Sequence, residues 1–197
     1  MARKIDEEKI WRIKASTMKT IVDYGIEATT IAMIAKNANV SGGYLYRIYS
    51  GKQDLINELY DEKISSLYQE LEFLIALNNT SIEPLISAFV QNRIVYSINE
   101  PIASKFFYQL LHNDNFSMTE DLKDKSLSLM QTIKEIGVNA NEISNNVSLY
   151  QLYYHIFVYV VDYIQFKRNN IFENQELLND DVEYLTNNIL YFLKRVV

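Results

Sequence analysis

The sequence contains no cysteine, only five glycines and only two prolines among its 197 residues. Without cysteine the chain can form no disulfide, no zinc–thiolate site and no thiol nucleophile. So few glycines and prolines cannot supply the many turns of a β-sandwich, a barrel or a glycine-rich nucleotide fold. The composition therefore favours an all-α protein.

Long hydrophobic runs are also missing. No segment approaches the roughly twenty consecutive apolar residues that span a bilayer. The acidic residues at positions 6–8 precede any apolar stretch, which is unlike a secretory signal. We expect a cytoplasmic protein with no membrane partner.

Sequence signatures of enzymes are absent as well. The two histidines, His112 and His155, lack the Glu-x-x-His spacing of a di-iron bundle. No phosphate-binding Gly-x4-Gly-Lys loop, zinc-binding His-Glu-x-x-His pair or serine elbow occurs. We predict that the chain is not an enzyme and uses no cofactor and no metal ion. His155 is expected to be a core or interface residue whose ring nitrogens are hydrogen-bonded.

Charge is unevenly distributed along the chain, whose net charge is −6. Residues 1–52 carry nine lysines and arginines but five acids, a net charge of +4, whereas the remainder carries −10. A basic head on an acidic body is expected when one end of a protein approaches a polyanion.

Turn and cap residues divide the basic head into three short helices. Periodic apolar residues predict a first helix over residues 7–24, closed by Gly25. Thr29 or Thr30 can cap a second helix that runs to about Ala38. Asn39 stands where a tight turn requires positive φ, and Ser41 can cap a third helix over Gly42–Tyr49. This order is typical of a helix-turn-helix domain.

Six more helices are predicted after the head, beginning with a long fourth helix from Gly51. The next helix runs over Ser81–Ile98, and another begins at Pro101. A further helix ends near Gly137, and the last two run over about Ser144–Arg168 and from Asp180 onwards.

A connected series of motifs lies between Ala28 and Asn57. Its parts are Thr29-Thr30, Ile34-Ala35, Asn39-Val40-Ser41, Gly43-Tyr44-Leu45-Tyr46 with Tyr49, and Gly51-Lys52-Gln53-Asp54-Leu55. Together they resemble the TetR family of transcriptional regulators. That family has an Ile-Ala pair, a Gly-Val-Ser turn, a Gly-x-Leu-Tyr-x-x-Phe recognition helix and a Ser-Lys-x-Asp-Leu start of helix four. The resemblance is specific because residue types and spacing agree over several elements together.

The resemblance implies an all-α fold of about nine helices. Residues 1–52 would form the helix-turn-helix DNA-binding domain, and residues 53–197 a helical ligand-binding and dimerisation domain. The implied function is a transcriptional regulator, more often a repressor than an activator. It would bind a palindromic double-stranded operator as a homodimer and be released by a small-molecule effector that tilts the fourth helix.

The resemblance also implies DNA contacts from the head. Exposed backbone N–H groups at the starts of helices two, three and four are natural phosphate sites. Tyr46 resembles the family's phosphate-bonding tyrosine and Lys52 its phosphate-binding lysine, whereas Arg47 can read a guanine edge or contact the backbone. The predicted DNA-binding residues are Thr29, Thr30, Lys36, Ser41, Gly42, Gly43, Tyr44, Tyr46, Arg47 and Lys52.

Two departures from the family pattern keep an alternative open. Gly42 stands where relatives often have lysine, and Ala32 where many have an arginine that touches DNA. Lys36 can supply the positive charge that these two positions lack, or its side chain can simply be solvated. The alternative is a TetR-fold interaction or ligand-binding protein whose DNA binding is weak or lost.

Aromatic residues are frequent in the predicted ligand-binding and dimerisation domain. Such residues can pack in the core, form a subunit interface or line a pocket. The residues predicted to line an effector pocket are Phe107, Tyr108, Tyr150, Tyr154 and Phe157. Those predicted at the dimer interface are Ile156, Val160, Ile164, Leu185, Ile189 and Phe192.

Overall fold

A computed structural model describes residues 6–113, 118–169, 176–177 and 179–195 of the chain. Over these ranges the chain forms nine helices and no strand, which confirms the all-α prediction. They are α1 (Glu7–Tyr24), α2 (Ile31–Asn37), α3 (Gly42–Tyr46), α4 (Lys52–Leu77), α5 (Glu83–Asn99), α6 (Pro101–Leu111), α7 (Glu120–Asn139), α8 (Leu149–Tyr153, a π-helical turn over Tyr154–Val158, and Tyr159–Arg168) and α9 (Asn179–Lys194). None of the described helices is long and apolar enough to cross a bilayer.

The backbone groups into two compact units. Among the described residues, the first contains 6–63 and 101–113, and the second contains 64–100 and those from 118 onwards. In the first unit α1 packs against α2 and α6, and α2 packs against α3. In the second, α5 packs against α9 and the last part of α8, while α7 packs against the first part of α8. The functional boundary after residue 52 stays a prediction, and the first unit also includes α6.

The predicted cap and turn residues of the head are confirmed. Gly25 ends α1 with φ +83°. Thr30, rather than Thr29, caps α2, because its side chain accepts a hydrogen bond from the backbone N–H three residues later. Asn39 has φ +54°, and the Ser41 side chain caps α3 in the same way as Thr30 caps α2. These local signals position the turn between α2 and α3.

Helix α3 is shorter than predicted. It ends at Tyr46 instead of Tyr49, because the chain tightens to an i→i+3 hydrogen bond from the Ile48 N–H to the Leu45 carbonyl. The tighter turn carries the Tyr49 side chain into the core, where its hydroxyl lies 3.4 Å from Glu58 Oε1. Burial first, and then the charge of Glu58, raise the Tyr49 pKa to about 12. Tyr49 is therefore a core residue.

Polar bonds tie the helices of the first unit together around their apolar core. Ser16 Oγ of α1 donates to the Ile34 carbonyl of α2 at 3.0 Å. Lys14 of α1 pairs with both Glu58, at 2.7 Å, and Glu62 of α4. Burial lowers the Lys14 pKa, but the two carboxylates outweigh it, and the pKa is raised. These bonds thus connect α1 to both α2 and α4.

Helices α5, α7 and α8 of the second unit have boundaries that differ from the predictions, and α5 begins at Glu83 rather than at Ser81. Helix α7 continues past Gly137 to Asn139, and Asn141, with φ +57°, takes the left-handed position instead. Gly137 has a different reason to be glycine: a Cβ there would lie 2.7 Å from Ile82 Cδ1 and 3.0 Å from Ile143 Cδ1. Helix α8 begins after Ser148 rather than at Ser144, because Ser148 forms a capping box.

The π-helical turn in α8 keeps one face buried. Leu152, Ile156, Val160 and Ile164 are all buried and recur every four residues. In a regular α-helix a four-residue step overshoots a full turn by about 40°, so three steps drift by about 120°. The wider turn over Tyr154–Val158 takes up one extra residue, about 100° of rotation, and offsets most of this drift.

Two ion pairs are enclosed within the second unit. Arg93 of α5 pairs with Glu70 of α4, which also accepts from Asn92 Nδ2 at 3.0 Å. Lys167 of α8 pairs with Asp181 of α9 at 2.8 Å. These pairs cross from one helix to the next, so they fix helix neighbours rather than single helices.

His155 does not have the hydrogen-bonded ring that we expected. Its Nδ1 is buried and has no partner among the described residues. Its ring stacks on Phe192 with centroids 5.5 Å apart. Burial lowers the pKa of His155.

Candidate nucleic-acid interface

Helix α3 is anchored by one side and exposed on the other. Leu45 is fully buried, whereas Gly43, Tyr46 and Arg47 are exposed. Tyr46 has 62% of its surface accessible although it is aromatic. A short helix held by its single buried leucine therefore presents a polar and aromatic face to its surroundings.

The two glycines that open α3 are not required by the protein's own packing. A Cβ at Gly42 or Gly43 would meet no atom within 4 Å, and neither residue has positive φ. Glycine in a helix costs up to about 1 kcal/mol relative to alanine. The absence of a side chain here thus leaves room for something outside the chain to approach the backbone.

The ring of Tyr44 has two cations close to it. Its ring centroid is 4.7 Å from the Arg47 guanidinium and 5.4 Å from Lys9 Nζ of α1. Its hydroxyl is buried and has no hydrogen-bond partner in the described part of the chain. Lys9 was not predicted as a site residue, because nothing local in the sequence relates the first turn of α1 to α3.

Four of the seven lysines and arginines described in the head lie near a carboxylate. Lys9, Arg12, Lys14 and Lys19 each have an acidic partner within 4.0 Å. Arg47 and the exposed Lys36 have no ion pair within the described ranges. Arg3 and Lys4 lie outside the described residues.

Three predicted contact residues lie at the turn between α1 and α2 and at the start of α4. Thr29 is buried and donates to the Gly25 carbonyl at 2.8 Å, so its side chain is unavailable to DNA and supports the turn. Thr30 is exposed at the start of α2. Lys52 Nζ donates to the Ile26 carbonyl at 2.7 Å, which ties the start of α4 to this turn.

The predicted pocket residues are not gathered into one cluster in either unit. Phe107 and Tyr108 both belong to the first unit. The ring of Phe107 stacks on that of Tyr60, with their centroids 6.1 Å apart. Phe157 is buried in the second unit against Phe89, at 5.2 Å between centroids. Tyr150 and Tyr154 of the second unit are exposed. The assignment of a pocket to these five residues stays a prediction.

A cavity of about 400 Å³ lies elsewhere in the second unit, between α7 and the loop after α4. Its lining residues are Asn79, Thr80, Thr132, Glu135, Ile136, Asn139 and Ala140, none of which was predicted.

The predicted interface residues point mainly into the chain's own core. Of the six, only Phe192 is exposed. The other five are buried within the single chain: Ile156, Val160, Ile164, Leu185 and Ile189. Side chains already enclosed cannot make a new contact with a partner. The exposed side chains of α8 and α9 that remain open to a partner include the aromatic rings of Tyr154, Tyr191 and Phe192.

Comparison with known proteins identifies relatives of the head and of the fold. The family model "Bacterial regulatory proteins, tetR family" matches residues 13–59. The chain is 25% identical over 130 residues to the fatty acid metabolism regulator protein of Bacillus subtilis, a match that covers 65% of this chain and 60% of that protein.

Solved structures share the fold over nearly the whole chain. A TetR family transcription regulator from Marinobacter aquaeolei has a TM-score of 0.73 at 16% identity, covering 94% of this chain and 95% of that one. The transcriptional regulator FadR from Bacillus subtilis, in complex with stearoyl-CoA, has a TM-score of 0.70 at 18% identity, covering 95% and 99%.

Proposed function

We propose that this chain, a member of the tetR family of bacterial regulatory proteins, is a repressor that binds a palindromic operator as a homodimer and leaves it when a small molecule binds. The observation that carries the proposal is the outward face of α3. It combines open space at Gly42 and Gly43 with an exposed Tyr46 and an Arg47 without a carboxylate partner in the described ranges.

Each of these features suits the major groove of DNA. Backbone without side chains can approach the groove wall closely, and the N–H groups at the start of a helix attract phosphate. An exposed tyrosine hydroxyl can donate to a phosphate, and an unpaired guanidinium can bind a phosphate or a guanine edge. The net charge of +4 over residues 1–52 adds a long-range attraction.

The direct test is selection of duplexes from a random-sequence library by the purified full chain. We expect a palindromic consensus whose half-sites lie about one or somewhat more than one helical turn, roughly 10 base pairs, apart. Affinity for that duplex should fall steeply with salt, because phosphate contacts release counterions. Failure to enrich any sequence, together with salt-independent behaviour, would contradict the proposal.

We predict that Tyr46→Phe weakens binding to the selected duplex by about tenfold per head, or about a hundredfold for the dimer, because a hydrogen bond to a charged oxygen contributes on the order of 1.5 kcal/mol or more. The measurement is a gel shift at fixed salt. Tyr24→Phe is the matched control, since Tyr24 is in the same unit and is 60% exposed against 62% for Tyr46. Equal affinity for Tyr46→Phe and the parent chain would remove Tyr46 from the interface.

The homodimer is proposed to form through the exposed rings of α8 and α9. A soluble chain rarely exposes several aromatic rings on neighbouring helices unless a partner covers them, and Tyr154, Tyr191 and Phe192 are all about half exposed. Two copies of the head are also needed to reach both halves of a palindrome.

We predict that light scattering at micromolar concentration gives twice the mass of the chain, and that Phe192→Glu shifts the chain towards the monomer. A charge placed in an apolar interface loses its hydration without gaining a partner. Phe73→Glu is the control, because Phe73 is exposed on α4, away from α8 and α9 in sequence. A monomeric parent chain would contradict the dimer.

The effector is proposed to be a molecule with a long apolar chain, and a long-chain acyl-CoA is the first class to test. FadR from Bacillus subtilis, whose fold is similar, was crystallised with stearoyl-CoA. An effector releases DNA only if it binds the DNA-free state more tightly than the DNA-bound state. Stearoyl-CoA should therefore displace the selected duplex where free CoA does not. Failure of this step alone would change the effector class and leave the DNA-binding proposal standing.

The alternative is a TetR-fold protein that no longer binds DNA. It is favoured by the exposed Ala32 of α2 and by Gly42 of α3. At each of these two positions relatives often have a cation, and this chain has none. The library selection separates the two proposals, because this alternative enriches no duplex.

A further inference from the structure

The ring of Tyr44 brings together side chains from two helices of the head. Lys9 is in the first turn of α1, and Arg47 follows the last residue of α3. Both cationic groups lie within 6 Å of the Tyr44 ring centroid, at 5.4 and 4.7 Å. At such distances the negative face of an aromatic ring attracts a cation.

This arrangement gathers positive charge at the exposed side of α3. Two cations near one ring repel each other, so they gain from an anion that can neutralise both. Arg47 has no carboxylate partner in the described ranges, and Lys9 shares its charge only with Asp6, at 2.9 Å, on the partly exposed start of α1. A DNA phosphate is the anion that the proposed function brings to this surface.

The phenol hydroxyl of Tyr44 has a different environment from its ring. The hydroxyl is buried and has no partner among the described residues, so it is not presented to a phosphate. The hydroxyl of Tyr46, two residues later, belongs to an exposed side chain. The two tyrosines of α3 therefore have different tasks.

We propose that Tyr44 is a positioning residue whose ring holds Lys9 and Arg47 beside α3, so that Lys9 adds a phosphate contact from α1 to the DNA surface. The inference rests on the proposed function, and it extends the interface to a helix that the motif between Ala28 and Asn57 does not include.

The test is the dependence of affinity on salt, measured by fluorescence anisotropy with the full chain and the duplex that the parent chain selects. Each phosphate contact contributes about 0.9 to the slope of log affinity against log salt. Lys9→Gln should lower that slope by about 0.9 per head, or about 1.8 for the dimer. Lys19→Gln is the matched control, because Lys19 is on the same helix, exposed and paired with Asp23.

Two variants separate the ring from the hydroxyl. Tyr44→Leu should lower the slope, and it should lower the affinity by about tenfold per head, because both cations lose the ring that holds them. Tyr44→Phe should restore both to the values of the parent chain. In the Tyr44→Leu background, Lys9→Gln should cause little further change. Circular dichroism melting checks that each variant is folded, and Lys9→Gln, a surface change, tests the proposal independently of Tyr44.

The inference is overturned if Lys9→Gln leaves the slope unchanged, or if Lys19→Gln lowers it equally, since a general charge effect would then suffice. It is also overturned if Tyr44→Phe binds as weakly as Tyr44→Leu, because the hydroxyl would then contact DNA. If the parent chain binds no duplex at all, the proposed function fails, and this inference fails with it. A parent chain that binds while Lys9→Gln has no effect removes this inference alone.

Discussion

Replacing Leu45 with alanine should abolish operator binding by disordering α3. Leu45 is the only buried residue among the five of this helix, so its side chain is the main apolar anchor of α3. Removing a fully buried leucine side chain costs about 2 to 5 kcal/mol, because apolar contacts are lost and a cavity remains. A helix of five residues has no stability of its own to offset that loss.

Thermal unfolding followed by circular dichroism, together with a gel shift on the selected duplex, measures this effect. Leu77→Ala is the control, because Leu77 is an exposed leucine at the end of α4 and its removal creates no cavity. If Leu45→Ala binds the duplex with the parent's affinity and melts at the parent's temperature, α3 is held by other contacts.

Replacing Glu70 with glutamine should destabilise the second unit almost as strongly. Its partner Arg93 would then keep a buried guanidinium without a counter-charge, although burial already lowers the Arg93 pKa. Breaking one side of a buried pair costs about 3 to 5 kcal/mol, whereas replacing both partners with apolar residues is often close to neutral. The double variant Glu70→Leu with Arg93→Met should therefore recover most of the stability lost by Glu70→Gln.

Chemical denaturation at neutral pH gives the free energies for this comparison. Glu72 of the same helix offers the control, since its pair with Lys125 is 45% exposed on both sides, against 16% and 21% for Arg93 and Glu70. Glu72→Gln should cost less than about 1 kcal/mol, as exposed ion pairs do. Similar losses for Glu70→Gln and Glu72→Gln would show that burial does not set the cost.

The head was predictable because its signals are local. Gly25, Thr30, Asn39 and Ser41 each act on backbone within a few residues, so the cap or turn can be read from the residue type and its spacing. The same local logic placed the start of α6 at Pro101. Only the length of α3 was overestimated, because its end depends on Tyr49 packing into the core.

Contacts between distant segments were not predictable in this way. An apolar pattern shows which face of a helix avoids water but not what covers that face, so Ile156 and Val160 were assigned to a partner although their own unit encloses them. Gly137 was interpreted as a helix end because nothing in the sequence shows that Ile82 and Ile143 lie against it. The stacking of Lys9 on Tyr44 is another such contact between separate helices.

The π-helical turn of α8 lets that helix hold one residue more than a regular helix would without changing the face that it buries on either side. Deleting one residue between Tyr154 and Val158 would return an ordinary helix, and the parts before and after the deletion would keep their relative rotation, because the wider turn already offsets the roughly 100° that the extra residue adds. Relatives with one residue fewer at this turn can therefore keep the same residues buried on both sides of it. Loss of a single codon is thus tolerated here, whereas the same loss in a regular stretch of helix would rotate one flank by about 100° against the other.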